Sequence, residues 1–376
     1  MKQFIYADNA ATTKLEPQAL EAMLPWLTEA YGNPSQPYSF SRAPKKAIAE
    51  ARETIAACIG ADPEEIYFTS GGTESDNWAI KGSALADPAY RSTITTAFEH
   101  HAVLNACSRI ETLKYPVAYM WPTQGGRITA EILKDYISDE TRLVSVMFAN
   151  NELGTIQPIK ELCEIAHKHG AVFHTDAVQA VGHIPIGVRE LGVDMLSASA
   201  HKFGGPRGVG FLYIRKDTKI QAHMDGGAQE RGMRAGTENT AGIVGMATAL
   251  KISCDSMDAN AGYVRKLENM LLDELSAAGV PFCRNGCAPF LPGLLSLAFP
   301  GMSGEAMFHR LDLMGIMVST GSACDSKNTQ VSHVLQAIRL DDELANGTIR
   351  ISLGKNNIED DVITIAKALR KITMNV

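Results

Sequence analysis

Short apolar runs alternate with longer amphipathic stretches along most of the chain, and Gly or Pro separates many of them. The run at residues 65–69 predicts a strand, and the stretch from Thr73 onward, with acidic residues in its first turn, predicts a helix. Further apolar runs predict strands over residues 93–98, 142–149, 171–175, 194–199, 208–214 and 316–319. Strands that alternate with helices predict a mainly parallel sheet, which binds ligands beyond the carboxyl ends of its strands.

Amphipathic stretches predict helices over residues 159–169, about 240–278, 303–314 and 358–371. Gly170 and Gly279 directly follow two of these stretches, as is typical of residues that end helices. The closing helices and the short strands between them predict a second, smaller α/β domain. We therefore expect a large domain over residues 16–254 and a small domain over residues 1–15 and 255–376.

The composition indicates a globular protein, because 45% of the residues are hydrophobic and 20% are charged. The chain of 376 residues is long enough for about two domains. Its net charge is −7, and no cluster of Lys and Arg forms the basic patch of a nucleic-acid-binding protein. The N-terminus does not resemble a signal peptide, and no apolar run approaches the roughly 20 residues of a membrane span. We expect a cytoplasmic protein without direct contact with nucleic acid or membrane.

The cysteines are odd in number and scattered, which is not typical of a disulfide framework. Their positions are 58, 107, 163, 254, 283, 287 and 324. Cys324 differs from the others because it follows a predicted strand in a segment of small residues, where a thiol is exposed and reactive. A bystander thiol is the alternative. No metal site is predicted, although a site at His101 and Cys107 remains a distant possibility.

A glycine-rich turn, Ser70-Gly71-Gly72-Thr73, joins a predicted strand to a predicted helix. The free N–H groups at the start of a helix bind phosphate, and the Thr73 hydroxyl adds a donor. A plain turn that Ser70 or Thr73 caps is the alternative.

Two charged residues follow predicted strands of the same sheet. Asp176 ends an apolar strand, so its buried carboxylate needs a cation such as a protonated pyridine nitrogen, unless Asp176 only caps a helix. Lys202 precedes a glycine-rich loop, where a desolvated amine is nucleophilic enough to form a Schiff base. Ser199 and His201 flank Lys202 as candidate phosphate donors. A surface lysine in a turn is the alternative.

Three further polar residues lie in or after predicted strands. His100 can stack on a planar cofactor or move protons, or it can simply begin a helix. Asn151 can hydrogen-bond a ligand or occupy a turn. Arg350 can clamp a carboxylate with two hydrogen bonds or form a surface salt bridge.

Together, these motifs occur in the order and spacing of one family. The chain resembles the cysteine desulfurases of the NifS/IscS type, which belong to the class-V aminotransferases. The resemblance covers nearly the whole chain and rests on residues 6–13, 32–35, 69–75, 150–152, 176–179, 201–202, 234–238, 321–324 and 349–350. It implies pyridoxal-phosphate fold type I, an α/β architecture with a large domain around a mainly parallel seven-stranded sheet and a smaller α/β domain.

The resemblance also implies how the cofactor, pyridoxal 5′-phosphate, is bound. Lys202 holds it covalently, Asp176 pairs with its ring nitrogen, Gln179 hydrogen-bonds its phenolic oxygen and His100 stacks on its ring. The remaining cofactor-binding residues that the resemblance implies are Gly72, Thr73, Asn151, Ser199, His201 and Thr237. Thr237 reaches the phosphate of the neighbouring subunit, so the resemblance implies a homodimer with shared sites.

The implied reaction converts L-cysteine to L-alanine. Arg350, Asn151 and Asn33 bind the substrate, Lys202 and His100 take part in catalysis, and Cys324 carries the sulfur as a persulfide. The sulfur then passes to an acceptor protein, such as an iron–sulfur scaffold or a tRNA-thiolation protein. Rival interpretations are a selenocysteine lyase, another C–S lyase, a small-amino-acid aminotransferase or a catalytically idle scaffold subunit.

The chain departs from the family pattern in four places, none of which removes a residue of the implied catalytic set. Gln36-Pro37-Tyr38 stands where Ser, any residue and His are usual, and Asp325 follows Cys324 where Thr or Ser is frequent. Gly347-Thr348 replaces a usual Ser-Ser, and Lys355-Asn356-Asn357 replaces a usual Arg-Phe-Thr. We expect these changes to affect the approach to the pocket and the choice of sulfur acceptor more than the reaction type.

Overall fold

The computed structural model describes residues 4–87, 89, 91–320 and 331–374. The strands in these ranges are β1 (Ile5–Tyr6), β2 (Ile66–Thr69), β3 (Ser92–Thr96), β4 (Val117–Met120), β5 (Thr141–Ser145), β6 (Val172–Asp176), β7 (Met195–Ser199), β8 (Gly210–Ile214), β9 (Cys283–Arg284), β10 (Leu294–Ala298), β11 (Ile316–Met317) and β12 (Thr348–Ser352). The helices are α1 (Pro17–Thr28), α2 (Arg42–Ile59), α3 (Gly72–Leu85), α4 (His101–Thr112), α5 (Ala130–Tyr136), α6 (Ile159–Lys168), α7 (Val188–Leu191), α8 (Thr240–Asp255), α9 (Met257–Ala277), α10 (Gly304–Leu313), α11 (His333–Ala337), α12 (Asp342–Asn346) and α13 (Glu359–Met374).

The central sheet has seven strands in the order β2-β8-β7-β6-β5-β3-β4. Strands β7, β6, β5, β3 and β4 are parallel to one another, and β8 is antiparallel to both β2 and β7. Strands β5, β7 and β8 are buried along their whole length, as expected for a sheet that helices cover on both faces. The prediction of a mainly parallel, seven-stranded sheet is confirmed.

Helices form a layer on each face of this sheet. On one face, Trp78 of α3 and Val103 of α4 share a core with Leu143 of β5. On the other face, helices α2, α6 and α8 share a core with the neighbouring strand residue Val144. Successive strand residues point to opposite faces, so one strand serves both cores.

A second hydrophobic core lies in the C-terminal part of the chain and includes Ile5 of the N-terminal strand. Its antiparallel sheet has the order β12-β10-β9, and α9, α10 and α13 contribute Leu267, Leu311 and Leu369 to the core. The domain boundaries at residues 15 and 255 stay a prediction. Within the described part of the chain, no helix is both long and apolar enough to cross a membrane.

Several predicted elements are shorter than expected or interrupted. The strand predicted over 142–149 ends at Ser145, because the Met147 N–H turns to the Glu99 side chain, 2.8 Å away, instead of a neighbouring strand. The strand predicted over 93–98 also ends early, at Thr96, and the helix predicted over 240–278 is interrupted at Ser256. Of the strand predicted over 316–319, only Ile316 and Met317 form a regular strand, β11.

Candidate active site

A cleft of about 600 Å³ opens beyond the carboxyl ends of β2, β3, β5, β6 and β7. The segments that follow these strands supply Gly72, His100, Asn151, Gln179 and Lys202 to its lining. These strands run in the same direction, so their carboxyl ends share one edge of the sheet. This topology brings together residues that are distant in the sequence.

The start of α3 forms one wall of the cleft and is free of any side-chain cap. Gly71 has a φ of +150°, which favours glycine, whereas a Cβ atom on Gly72 would lie only 2.6 Å from Val178 Cγ2, so close packing favours glycine there. The predicted alternative of a cap by Ser70 or Thr73 is wrong. The Ser70 N–H donates to Glu74 Oε2 at 2.9 Å, and the absence of a side-chain cap leaves the first turn of α3 open to an anion.

Polar and basic side chains surround this helix terminus. Ser199 is buried, and His201 Nδ1 lies 3.1 Å from Thr12 Oγ1. Burial, together with the nearby cations Lys202 and Arg207, lowers the pKa of His201 to about 4, so its imidazole is neutral at pH 7. The helix terminus, the hydroxyl groups and the Arg207 cation suit a phosphate group.

Asp176 is buried at the end of β6 and accepts a hydrogen bond from the Val178 N–H at 2.9 Å. The segment after it is a turn, so the alternative that Asp176 caps a helix is wrong. Burial raises the pKa of Asp176, and the nearby His100 and Lys202 act in the opposite direction. A buried carboxyl group of this kind becomes ionised when a cation lies against it, as a protonated pyridine nitrogen does.

Lys202 extends into the cleft from a short 3₁₀ helix, Ala200–Lys202, directly after β7. Its Nζ donates to the carbonyl oxygens of Ala10 at 2.5 Å and Ala11 at 3.0 Å, and its own carbonyl oxygen lies 2.9 Å from His183 Nε2. Lys202 is therefore a cleft residue and not the surface lysine of the alternative interpretation.

His100 begins a helix, as one of the two interpretations predicted, and its role toward a cofactor stays a prediction. It is the N-cap residue of α4, where its Nδ1 accepts a hydrogen bond from the Ala102 N–H at 3.1 Å, and it also lines the cleft. Because Nδ1 is an acceptor, the proton of the neutral ring is assigned to Nε2. Burial lowers the pKa of His100, so the ring is neutral and suited to stacking on a flat ligand.

Arg350 is on β12, in the smaller C-terminal sheet, and its side chain lines the cleft. Its Nη2 donates to Asp8 Oδ1 at 2.7 Å and its Nη1 to the Asn151 carbonyl oxygen at 3.0 Å, while its side chain is 9% exposed. This burial excludes the alternative of a surface salt bridge. A guanidinium has five N–H donors and these two bonds use one on each Nη atom, so Arg350, which lines the cleft, retains Nη donors for an anionic ligand.

Asp8, Asp76 and Arg207 are charged cleft residues to which the sequence assigned no role. Asp76 is the most unusual, because it is 1% exposed and its Oδ1 has no hydrogen-bond partner among the described residues. Burial and the nearby Asp176 raise the pKa of Asp76 well above its ordinary value. Asp76 lies four residues after Gly72 on the same helix face, a spacing from which it was predictable.

Residues 5–365 match the class-V aminotransferase family. The chain belongs to this family. It is 46% identical over 376 residues to the cysteine desulfurase IscS of Clostridium botulinum, an alignment that covers 99% of this chain and 95% of the relative. A solved NifS-like protein has a TM-score of 0.93 and 38% identity, with full coverage of both chains. A structure described as SspA in complex with cysteine has a TM-score of 0.83 and 34% identity, and the match covers 94% of this chain and 100% of that one.

The resemblance to cysteine desulfurases of the NifS/IscS type is thereby confirmed. In this class-V aminotransferase, the cleft brings together Gly72, Thr73, His100, Asn151, Asp176, Gln179, Ser199, His201, Lys202 and Arg350. Asn33 and Thr237 do not line the cleft of the single chain. Cys324 and its neighbour Asp325 lie outside the described residues. Within the described ranges, no group of three or more His, Cys, Asp or Glu side chains is arranged to hold a metal ion.

Proposed function

We propose that this protein is a pyridoxal-phosphate-dependent cysteine desulfurase, which converts L-cysteine to L-alanine and takes the sulfur as a persulfide on Cys324. The observation that carries the proposal is the meeting of Lys202, Asp176 and Arg350 in one cleft. Such a cofactor requires an amine and a buried carboxyl group, and the carboxylate of an amino-acid substrate requires a guanidinium that has unused N–H donors.

The residues of the cleft fit the cofactor. Its phosphate matches the uncapped start of α3, where a Cβ atom at Gly72 has no room and Thr73, Ser199 and His201 lie nearby. Asp176 matches the ring nitrogen, because burial of its carboxyl group favours a cationic partner. When bound, pyridoxal phosphate supplies an electron sink for the electron pair released at the α-carbon of the substrate.

The protein's own groups then bind, orient and move protons. The Lys202 amine anchors the cofactor and, once released, takes the α-proton of L-cysteine at Nζ. The neutral His100 ring orients the cofactor from the side of α4 and is a second proton-transfer group at Nε2. The Gln179 amide orients the phenolic oxygen. In the single chain its Nε2 donates to the Ala10 carbonyl oxygen at 2.9 Å, so the amide is already held in place.

Arg350 binds the carboxylate of the substrate. Its guanidinium is held by Asp8 and by the Asn151 carbonyl, so its remaining Nη donors point in a defined direction. The Asn151 side chain contributes a further hydrogen bond to the bound cofactor and substrate. Asn33 does not line the cleft of the single chain, so its proposed role in substrate binding requires the assembled enzyme.

Cys324 is the sulfur acceptor. Ser319 lines the cleft and pairs with Arg350, and five residues of chain span at most about 18 Å, so Cys324 is within reach of a substrate bound at Arg350. The Cys324 thiolate attacks the sulfur of L-cysteine. The new S–S bond forms as the carbon–sulfur bond breaks, and the carbon skeleton leaves as L-alanine after it gains a proton.

The proposed assembly is a homodimer in which Thr237 of one subunit reaches the phosphate site of the other. This arrangement is consistent with the position of Thr237 outside the cleft of its own chain. The persulfide sulfur passes to an acceptor protein, such as an iron–sulfur scaffold or a tRNA-thiolation protein, in the cytoplasm.

The experiment combines the visible spectrum of the purified protein with the simultaneous measurement of sulfide and alanine from L-cysteine and a thiol reductant. We expect a yellow protein that forms both products in equal amounts. Lys202→Ala loses the visible chromophore and both products, whereas Cys324→Ala keeps the chromophore but loses sulfide formation by at least about 10³-fold, as for other catalytic nucleophiles.

Cys283→Ala is the matched control, because Cys283 is an exposed thiol outside the cleft and its loss leaves both readouts unchanged. A fully active Cys324→Ala enzyme would contradict the role of Cys324. Transfer of the amino group to a keto acid without sulfide formation would indicate an aminotransferase instead.

A further inference from the structure

Glu152 is a buried acidic residue that has no part in the reaction proposed above. It directly follows Asn151 in the turn downstream of β5, it is only 4% exposed, and it does not line the cleft. A carboxyl group is costly to bury unless it is hydrogen-bonded, so the partner of Glu152 indicates what the residue does.

The partner of the Glu152 carboxyl group is Ser332, which lies at the start of α11. Ser332 Oγ donates a hydrogen bond to Glu152 Oε2 at 2.6 Å. Ser332 is itself buried, and it is the N-cap residue of α11, where its Oγ accepts a hydrogen bond from the Val334 N–H at 3.1 Å. The bond to Glu152 therefore fixes the start of α11 to the turn downstream of β5.

The turn that carries Glu152 is itself fixed at the edge of the large sheet. Asn150 Oδ1 accepts a hydrogen bond from the Glu152 N–H at 2.8 Å, and Asn150 Nδ2 donates to the Phe98 carbonyl oxygen at 3.0 Å. The Asn151 carbonyl oxygen, between these two residues, accepts the hydrogen bond from Arg350 Nη1. One turn thus contacts both the arginine proposed to bind the substrate and the serine at the start of α11.

The described residues on both sides of Cys324 contact this same region. Ser319, five residues before Cys324, pairs with Arg350 through two backbone hydrogen bonds of 3.0 and 2.7 Å. Ser332, eight residues after Cys324, donates to Glu152. Because the chain between two fixed residues has a limited reach, both contacts restrict the positions available to the Cys324 thiol.

We propose that Glu152 is a positioning residue for sulfur transfer, which acts through Ser332 to hold Cys324 near the bound substrate. This inference rests on the proposed function, in which Cys324 accepts the sulfur. Glu152 touches neither the substrate nor the amine of Lys202. A misplacement of reacting atoms by about 1 Å slows a reaction by about 100-fold, so loss of the Glu152–Ser332 bond should slow sulfur transfer and leave the earlier proton transfer intact.

Glu152 performs this role as a hydrogen-bond acceptor and not as a fixed charge. Burial raises its pKa to about 7, while the hydrogen bond from Ser332 and the Arg350 cation act in the opposite direction. A glutamine keeps a carbonyl oxygen in the same place, so Glu152→Gln should retain at least half of the wild-type rate of sulfide formation. Glu152→Ala removes the acceptor.

The test measures two steps of the reaction in the full-length protein with its cofactor, L-cysteine and a thiol reductant. Exchange of the α-hydrogen of L-cysteine in deuterium oxide, measured by mass spectrometry of the recovered substrate, reports proton transfer at Lys202. Sulfide formation reports transfer to Cys324. We expect Glu152→Ala to lower kcat for sulfide formation by about 10- to 100-fold, with an unchanged visible spectrum and α-hydrogen exchange at least as fast as in the wild type.

Two further variants separate the bond from a general loss of stability. Glu152→Ala/Ser332→Ala should be no slower than the slower of its two single variants, because both substitutions remove the same bond. Glu164→Ala removes an exposed glutamate of α6 outside the cleft and should form sulfide at the wild-type rate. Circular dichroism checks that each variant folds.

Three results would overturn the inference: wild-type sulfide formation by Glu152→Ala, equal losses in Glu152→Ala and Glu152→Gln, or α-hydrogen exchange that falls as much as sulfide formation. The last result would mean that Glu152 supports the cofactor and substrate site as a whole. A wild-type protein that neither exchanges the α-hydrogen nor forms sulfide would instead contradict the proposed function itself, so the two failures are distinguishable.

Discussion

Three carboxyl groups, those of Asp76, Glu99 and Asp176, are buried close to one another beside the cleft. Burial is the main cause that raises the pKa of each, and repulsion by Asp176 adds to the effect at Asp76 and Glu99. The protein cannot hold three negative charges there at low cost. Substitution by the amide of the same shape therefore distinguishes the carboxyl group that must ionise from those that act as neutral side chains.

Asp176→Asn and Asp76→Asn form a matched pair of variants for this question. In the proposed function, Asp176 carries a charge opposite the ring nitrogen of the cofactor, so Asp176→Asn should lower kcat/KM for L-cysteine by about 10²-fold or more. Asp76 is held neutral by burial, so Asp76→Asn should retain more than half of the activity. Steady-state sulfide formation measures both, and circular dichroism checks that both variants fold. Equal losses in the two variants would contradict this assignment of charge.

Glu99 gives the protein a specific pH dependence of stability. Burial raises its pKa from 4.5 to about 8, so above pH 4.5 the unfolded chain releases a proton that the folded protein retains. The folded state therefore binds more protons in this window, and its stability falls as the pH rises from about 5 to 8, by up to about 1.4 kcal/mol per pH unit.

Glu99→Gln removes this effect, since Oε1 keeps its acceptor role toward the Met147 N–H and the Thr96 hydroxyl, whereas Oε2 has no partner among the described residues. The free energy of unfolding of the variant minus that of the wild type should therefore be larger at pH 8.5 than at pH 5. Urea unfolding followed by fluorescence at both pH values measures the change. A difference between variant and wild type that is the same at both pH values would show that Glu99 does not titrate in this range.

At the scale of elements, the start of α3 depends on the turn after β6. A Cβ atom on Gly72 would meet Val178 Cγ2 at 2.6 Å, so Gly72→Ala forces the Val178 side chain to move. Such overpacking costs about 1–3 kcal/mol, and the same cost at the phosphate site corresponds to a loss of cofactor affinity of about 5- to 150-fold. Fluorescence titration of the apoprotein with pyridoxal phosphate measures this affinity.

The double variant Gly72→Ala/Val178→Ala provides the control, because it removes the methyl group that the new Cβ atom meets. We expect it to recover most of the lost affinity. If both variants bind the cofactor equally weakly, the α3 start requires glycine for a reason other than its contact with Val178.

The ends of some helices and strands could be predicted from local sequence patterns, and others could not. Helix α6 begins at the predicted residue, and Gly170 and Gly279 follow α6 and α9 in the left-handed conformation, because amphipathic period and helix-ending glycines act over a few residues. The end of β5 was predicted four residues too late, since Met147 bonds to the side chain of Glu99, which no local pattern predicts.

At the scale of the whole molecule, Arg350 connects the second core to the edge of the large sheet. Its guanidinium contacts Asp8 and Asn151 at the same time, a fork that a lysine ammonium group cannot reproduce. Arg350→Lys should raise KM for L-cysteine by about tenfold to 100-fold and leave the visible spectrum of the cofactor unchanged. Steady-state kinetics and the absorption spectrum measure the two effects.

Arg265→Lys is the corresponding control, because Arg265 is exposed on α9 and does not line the cleft. Its kinetic constants should match those of the wild type. Loss of the cofactor spectrum in Arg350→Lys would mean that Arg350 supports the cofactor site as a whole and does not act mainly on the substrate carboxylate.

Much of this architecture and chemistry follows from local order in the chain. Alternation of apolar strands and amphipathic helices predicted the parallel sheet, because burial on both faces demands that pattern. The placement of Asp176 and Lys202 directly after strands predicted that they meet, since parallel strands share the edge at which they end.

Other parts of the site depend on the arrangement of elements in space. Asp8 and Arg350 are separated by 342 positions and pair only because β12 and the segment after β1 meet at the cleft. Local sequence encodes the period and the ends of elements, but contacts between distant elements depend on strand order and core packing, which are properties of the whole chain.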